Sequence, residues 1–151
     1  MAQPRDLSAV ELVRAYRERR LSPMEVAHDV LRHIDAWEPS LHATYALDAD
    51  ATLAQARAAE ARWLQGTPLS ALDGVPTLIK ENVATRGVPV PLGTAATELL
   101  PATDDAPPSA RLREAGALIM GKTTMPDLGM LSSGLSSLHP LTRNPWDLRL
   151  N

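Results

Sequence analysis

An apolar run, Val75 to Ile79, ends abruptly on Lys80, with Glu81 and Asn82 directly behind it. A lysine amine held partly out of water loses some of its preference for the charged form. In that state it can take up a proton as a general base, or attack a carbonyl to form a Schiff base. The run VPTLI reads as buried on both faces, so Lys80 is expected at a strand terminus, mostly buried, with its ammonium near polar groups. Asn82 offers hydrogen bonds instead of a charge partner, and the proline- and glycine-rich stretch after it is suited to close over the amine. The ordinary alternative is a lysine that reaches solvent where a strand stops, as most lysines do. The residues alone do not choose between the two chemistries.

Other constellations are weak. The chain has no cysteine, which excludes disulfides, thiolate nucleophiles and thiolate-bound metals. His28 and His33 are five apart and do not share a helical face, and there is no H-E-x-x-H, so neither a metal nor a cofactor is expected. His42 and His139 are isolated; nothing in the sequence orders a Ser-His-Asp arrangement around His139. The glycines form neither a phosphate loop nor a dinucleotide fingerprint. Trp37, Trp63 and Trp146 are too scattered for a stacking platform and read as core or interface residues.

The elements that must position Lys80 are written plainly. In LSAVEL, Ser8 and Glu11 form a capping box, with Leu7 and Leu12 as the hydrophobic staple. In LSPMEV, Ser22 and Glu25 repeat the box, Pro23 takes the first helical position, and Leu21 and Val26 staple it. The second helix is expected to end near Ala36, because Glu38-Pro39 disfavours continuation. Val26, Val30, Ile34 and Trp37 fall on one of its faces. An alanine-rich helix follows and stops at Gly66. GVPTLIK and ALIMGK read as short strands, and PPSARLREAG as a helix between them. Helices preceding short buried strands indicate an α/β domain.

Two stretches do not fit ordinary connectors: residues 81–106, and residues 123–151, where Leu128 to Thr142 carries no Asp, Glu, Lys or Arg. Long irregular segments inside compact domains are often functional, although a wrapping loop covered by the fold reads equally well.

Composition bounds the remaining classes. The 151 residues suffice for one domain with a core. The net charge of −3 gives no basic excess for nucleic acid. No stretch is long and apolar enough to span a membrane, and MAQPRDLSAVELVRAYRERR lacks the features of a signal peptide. A soluble, cytoplasmic protein is expected.

In order along the chain, GVPTLIKEN (74–82), GKTTMPDLGM (121–130) and TRNPWD (142–147) resemble the amidase signature family. The resemblance runs from the N-terminal helices to Asn151. It implies N-terminal helices (about 6–66) and part of a mixed sheet flanked by helices (about 72–151), all within a single amidase domain that looks incomplete. It implies hydrolysis of a small-molecule carboxylic amide by a Ser-Ser-Lys triad, with Lys80 as the catalytic lysine that primes a bridging serine and, through it, a nucleophilic serine. In the family the Gly/Ser signature carrying both serines follows the RNPWD segment, whereas this sequence ends at DLRLN. The chain alone is therefore expected to be inactive, to fold poorly or associate, and to need a C-terminal partner portion; a homodimer is left open.

Met130, Leu131, Ser132 and Ser133 match a segment that lines the acyl pocket in relatives, or else serve as a covering loop. Glu81 stands where many members carry Asp. The amidotransferase branch tends to have Thr-Glu-Asn-Ser where this chain has GLSS (134–137), which speaks against a glutaminase subunit. That subunit, and a non-catalytic fragment acting only in binding or assembly, remain the alternatives.

Overall fold

The computed structural model describes residues 3–151. Its elements are the helices α1 (Ala9–Arg17), α2 (Pro23–Leu41), α3 (Ala49–Gln65) and α4 (Pro107–Glu114), and the strands β1 (Thr44–Tyr45), β2 (Pro76–Lys80) and β3 (Leu118–Thr123). Single 3-10 turns cover Pro4–Asp6 and Asp127–Gly129. The fold is mixed α/β, as the sequence implies.

Helix starts follow the capping chemistry. The Glu11 carboxylate accepts the Ser8 N–H at 2.8 Å, and the Glu11 N–H donates to the Ser8 hydroxyl at 3.4 Å. Ser22 and Glu25 do the same at 2.8 and 3.2 Å. Asp48 caps α3 through the Ala51 N–H, and Gly66 closes it at φ +73°, a conformation that costs glycine nothing. The end of α2 departs from expectation. The helix runs to Leu41 with Pro39 inside it. Pro39 lies in the last turn, where it removes only one donor. His42 still donates to the Glu38 carbonyl at 3.0 Å before turning left-handed at φ +51°. Trp37, expected on the buried stripe of α2, is 44% exposed.

The sheet has the order β1-β3-β2. Strand β1 pairs antiparallel with β3, Thr44 opposite Thr123 and Tyr45 opposite Lys122. Along β2 and β3 the bonds from Leu118 N–H to Val75 O and from Glu81 N–H to Thr123 O advance in the same direction, the sense of a parallel pair. Strand β2 is therefore an edge strand. Two-residue β1 has no period to read, and the sequence gives no sign of it.

Two compact units divide the chain, one from residues 1–34, 48–77 and 111–120, the other from 35–47, 78–110 and 121–151. In the first, Leu12, Tyr16 and Val26 form a core on which both predicted staples close through Leu7 and Leu21. The Tyr16 hydroxyl donates to the Gly74 carbonyl at 3.0 Å, and burial pushes its pKa upward. Fully buried Asp73 takes two hydrogen bonds from Arg62, at 2.7 and 2.6 Å, and one from the Leu69 N–H at 2.9 Å. Gly74 follows at φ +81°, where an added Cβ would sit 2.7 Å from Pro23. The Asp-Gly pair thus fixes the point from which β2 starts.

In the second unit the two irregular stretches are ordered by their own polar contacts. Residues 85–105 are held by Gly87 N–H to Ala102 O, Ala102 N–H to Val88 O and Arg86 N–H to the Asp105 carboxylate. Asp127 accepts from both the backbone and the hydroxyl of Ser137, and Arg143 N–H donates to Leu41 O at 2.8 Å. Among the described residues no helix is long and apolar enough to cross a membrane.

Candidate functional site

Lys80 is the last residue of β2, at the strand terminus the sequence predicts. It is exposed, which corrects the expectation of burial. The cause is the alternation along the strand: the pleat that turns Ile79 inward turns Lys80 to the opposite face, which is exposed there. A continuous apolar run is buried on both faces only where other layers cover both faces of the sheet.

The neighbour of Lys80 is the more tightly held residue. Glu81 is fully buried. One carboxylate oxygen accepts the Gly93 N–H at 2.7 Å, and the other lies 2.7 Å from His139 Nε2. An ionised carboxylate only accepts, so Nε2 carries the proton of that bond. The His139 ring packs at a tilt on Tyr45, with centroids 5.1 Å apart. Lys122, one residue before the end of β3, is 1% exposed, and its Nζ has no hydrogen-bond partner among the described residues. Burial lowers the Lys122 pKa below its ordinary value, and the negative charge of Glu81 partly offsets that. Tyr45 is raised, first by burial and then by the same Glu81 charge. Burial is the larger cause of both shifts; the Glu81 charge adds to that of Tyr45 and works against that of Lys122.

Met130 and Leu131 are 79% and 53% exposed, Ser132 is exposed and Ser133 half-buried, directly after the 3-10 turn at Asp127–Gly129. Among the described residues no hydrogen bond or ion pair links any of these four to Lys80. A cavity of about 370 Å³ is lined by Arg17, Arg19 and Trp63 among others, all in the unit that does not hold Lys80. It is not a candidate for the chemistry.

Glu81, His139 and Lys122 are what the sequence reading missed. His139 reads as isolated in the sequence, yet it is ordered by Glu81, 58 positions earlier. No local pattern encodes that contact. Lys122 had a usable signal, since ALIMGK repeats the design of VPTLIK, an apolar strand with a lysine near its tip.

The amidase family model matches residues 25–151. A glutamyl-tRNA(Gln) amidotransferase subunit of Acidothermus cellulolyticus is 40% identical over 141 residues, 93% of this chain and 28% of that protein. Its counterpart in Symbiobacterium thermophilum is 38% identical over 143 residues, 94% of this chain and 29% of that protein. Among solved structures, a bacterial aryl acylamidase of the amidase signature family superposes with a TM-score of 0.81 at 30% identity, over 94% of this chain and 30% of its own. The peptide amidase of Stenotrophomonas maltophilia gives 0.85 at 27% identity, over 95% and 31%. The chain spans less than a third of the length of the relatives it matches. With the family model covering most of its length, the chain belongs to the amidase family, that of the amidase signature enzymes.

Proposed function

We propose that this segment supplies the general base, Lys80, of an enzyme that hydrolyses a small-molecule carboxylic amide through a Ser-Ser-Lys triad. The observation that carries the reading is the position of Lys80 at the terminus of β2, inside GVPTLIKEN, in a chain of the amidase family. In this reading the neutral amine takes a proton from a bridging serine, which in turn takes one from the nucleophilic serine. The nucleophile's oxygen attacks the amide carbonyl, and the C–N bond breaks as the leaving amine collects a proton. Water then hydrolyses the acyl-enzyme.

Both serines belong, by the family resemblance, to a region that follows RNPWD in relatives. That region would also cover the exposed face of β2 and desolvate Lys80, while Met130, Leu131, Ser132 and Ser133 would line the acyl pocket. A second reading, the glutaminase subunit of an amidotransferase, is favoured by the two amidotransferase relatives. Activity on free glutamine, against activity on simple aryl or alkyl amides, separates the two.

The test uses the full-length enzyme, residues 1–151 joined to the serine-bearing region. Lys80→Ala is expected to lower kcat by about a hundredfold or more. Lys80→Arg should fare no better, because a guanidinium does not give up its proton at working pH. Turnover near the wild-type rate in either variant would contradict the role of Lys80.

A further inference from the structure

Three points of the chain, at positions 81, 93 and 139, meet on one carboxylate. Glu81, the residue after Lys80, is fully buried. It accepts from Gly93 N–H on one oxygen and bonds His139 Nε2 on the other, both at 2.7 Å. The second and third points are also tied to each other. The Ser136 hydroxyl donates to the Gly93 carbonyl and accepts from the backbone N–H of Leu138 and His139. Gly93 stands at φ +70°, and a Cβ there would collide with the carbonyl oxygens of Met125 and Pro126, so its N–H is held in place by close backbone packing. A buried carboxylate is stable only if paired and hydrogen-bonded. Here both carboxylate oxygens are hydrogen-bonded, one by Gly93 N–H and one by the His139 ring. The result is a fixed anchor one peptide bond from the residue proposed to do the chemistry, on a strand that among the described residues pairs on one side only.

We propose that Glu81 is a positioning residue for Lys80, with His139 as its essential hydrogen-bond partner. The anchor holds the tip of β2 so that the Lys80 amine stays in register with the serine it must deprotonate. The proposal rests on the catalytic reading of Lys80. A misplacement of about 1 Å can cost about a hundredfold in rate, so the anchor should be visible in turnover.

The experiment is steady-state amide hydrolysis by the full-length enzyme, with near-ultraviolet circular dichroism confirming that each variant is folded. Glu81→Ala and His139→Leu should each lower kcat by about ten- to a hundredfold and leave KM within about threefold. His139→Gln keeps an N–H donor and should recover most of the lost turnover, which a purely space-filling role would not require. If Glu81→Ala does not fold, the pair at position 139 decides. Equal turnover in His139→Leu and His139→Gln, or a kcat for His139→Leu within about twofold of wild type, would overturn the proposal. Lys80→Ala is run beside them. If it too keeps its rate, the catalytic reading itself falls; if it alone loses the rate, only the anchor does.

Discussion

At the scale of the residue, Lys122 is the least comfortable group in the second unit. Its ammonium is 1% exposed with no hydrogen bond among the described residues, and the charge of Glu81 opposes the cost of burial. Because its pKa lies below 10.5 in the folded chain, the unfolded chain binds more protons between the folded value and 10.5. Stability contributed at this position is therefore present above 10.5 and is lost as pH falls toward the folded value. The prediction is that wild-type stability gains on that of Lys122→Met as pH rises through the window below 10.5, measured by urea midpoints. A difference that stays constant across the window would contradict it. Lys80 was legible in the sequence because a strand tip and a motif coincide there. Its exposure was not, because which faces of a strand are covered depends on what packs against the sheet. Glu81 and His139 were not legible as a pair, since their contact joins a strand end to a loop with no intervening period.

At the scale of the element, the sequence was most readable where structure is local. Both capping boxes, the αL stop at Gly66 and the two longer strands follow from chemistry within a few residues. The end of α2 and the existence of β1 were not local: tertiary bonds decide them, such as Thr44 N–H to the Glu38 carboxylate at 2.9 Å and the pairing of Tyr45 with Lys122. The start of β2 depends on the Arg62–Asp73 pair, whose carboxylate is fully buried and accepts three hydrogen bonds. Asp73→Asn keeps the shape and removes the charge, leaving the guanidinium without its counter-ion. It is expected to destabilise the chain by about 2–4 kcal/mol, read from the denaturant midpoint at unchanged slope. A loss below about 0.5 kcal/mol would mean that the pair behaves like an exposed surface bridge, and that β2 is anchored otherwise.

At the scale of the whole molecule, most of the large exposed apolar side chains fall in the second unit, with Trp146 at 91% and Met130 at 79%, beside Leu99, Leu100, Leu128 and Leu131. These lie in the stretches whose lack of charge or regular period stands out in the sequence. In the proposed reading the segment carries the base of an amidase, and the nucleophile it serves is supplied by the region that follows RNPWD in relatives. The most direct measurement is covalent labelling by a serine-reactive fluorophosphonate, quantified by intact mass for residues 1–151 and for the full-length enzyme with and without Lys80→Ala. Expected on this reading are no labelling of the segment, one label on the full-length enzyme, and labelling slowed by about a hundredfold or more in Lys80→Ala. Stoichiometric labelling of a serine within residues 1–151, or full-length labelling at an undiminished rate without Lys80, would contradict it.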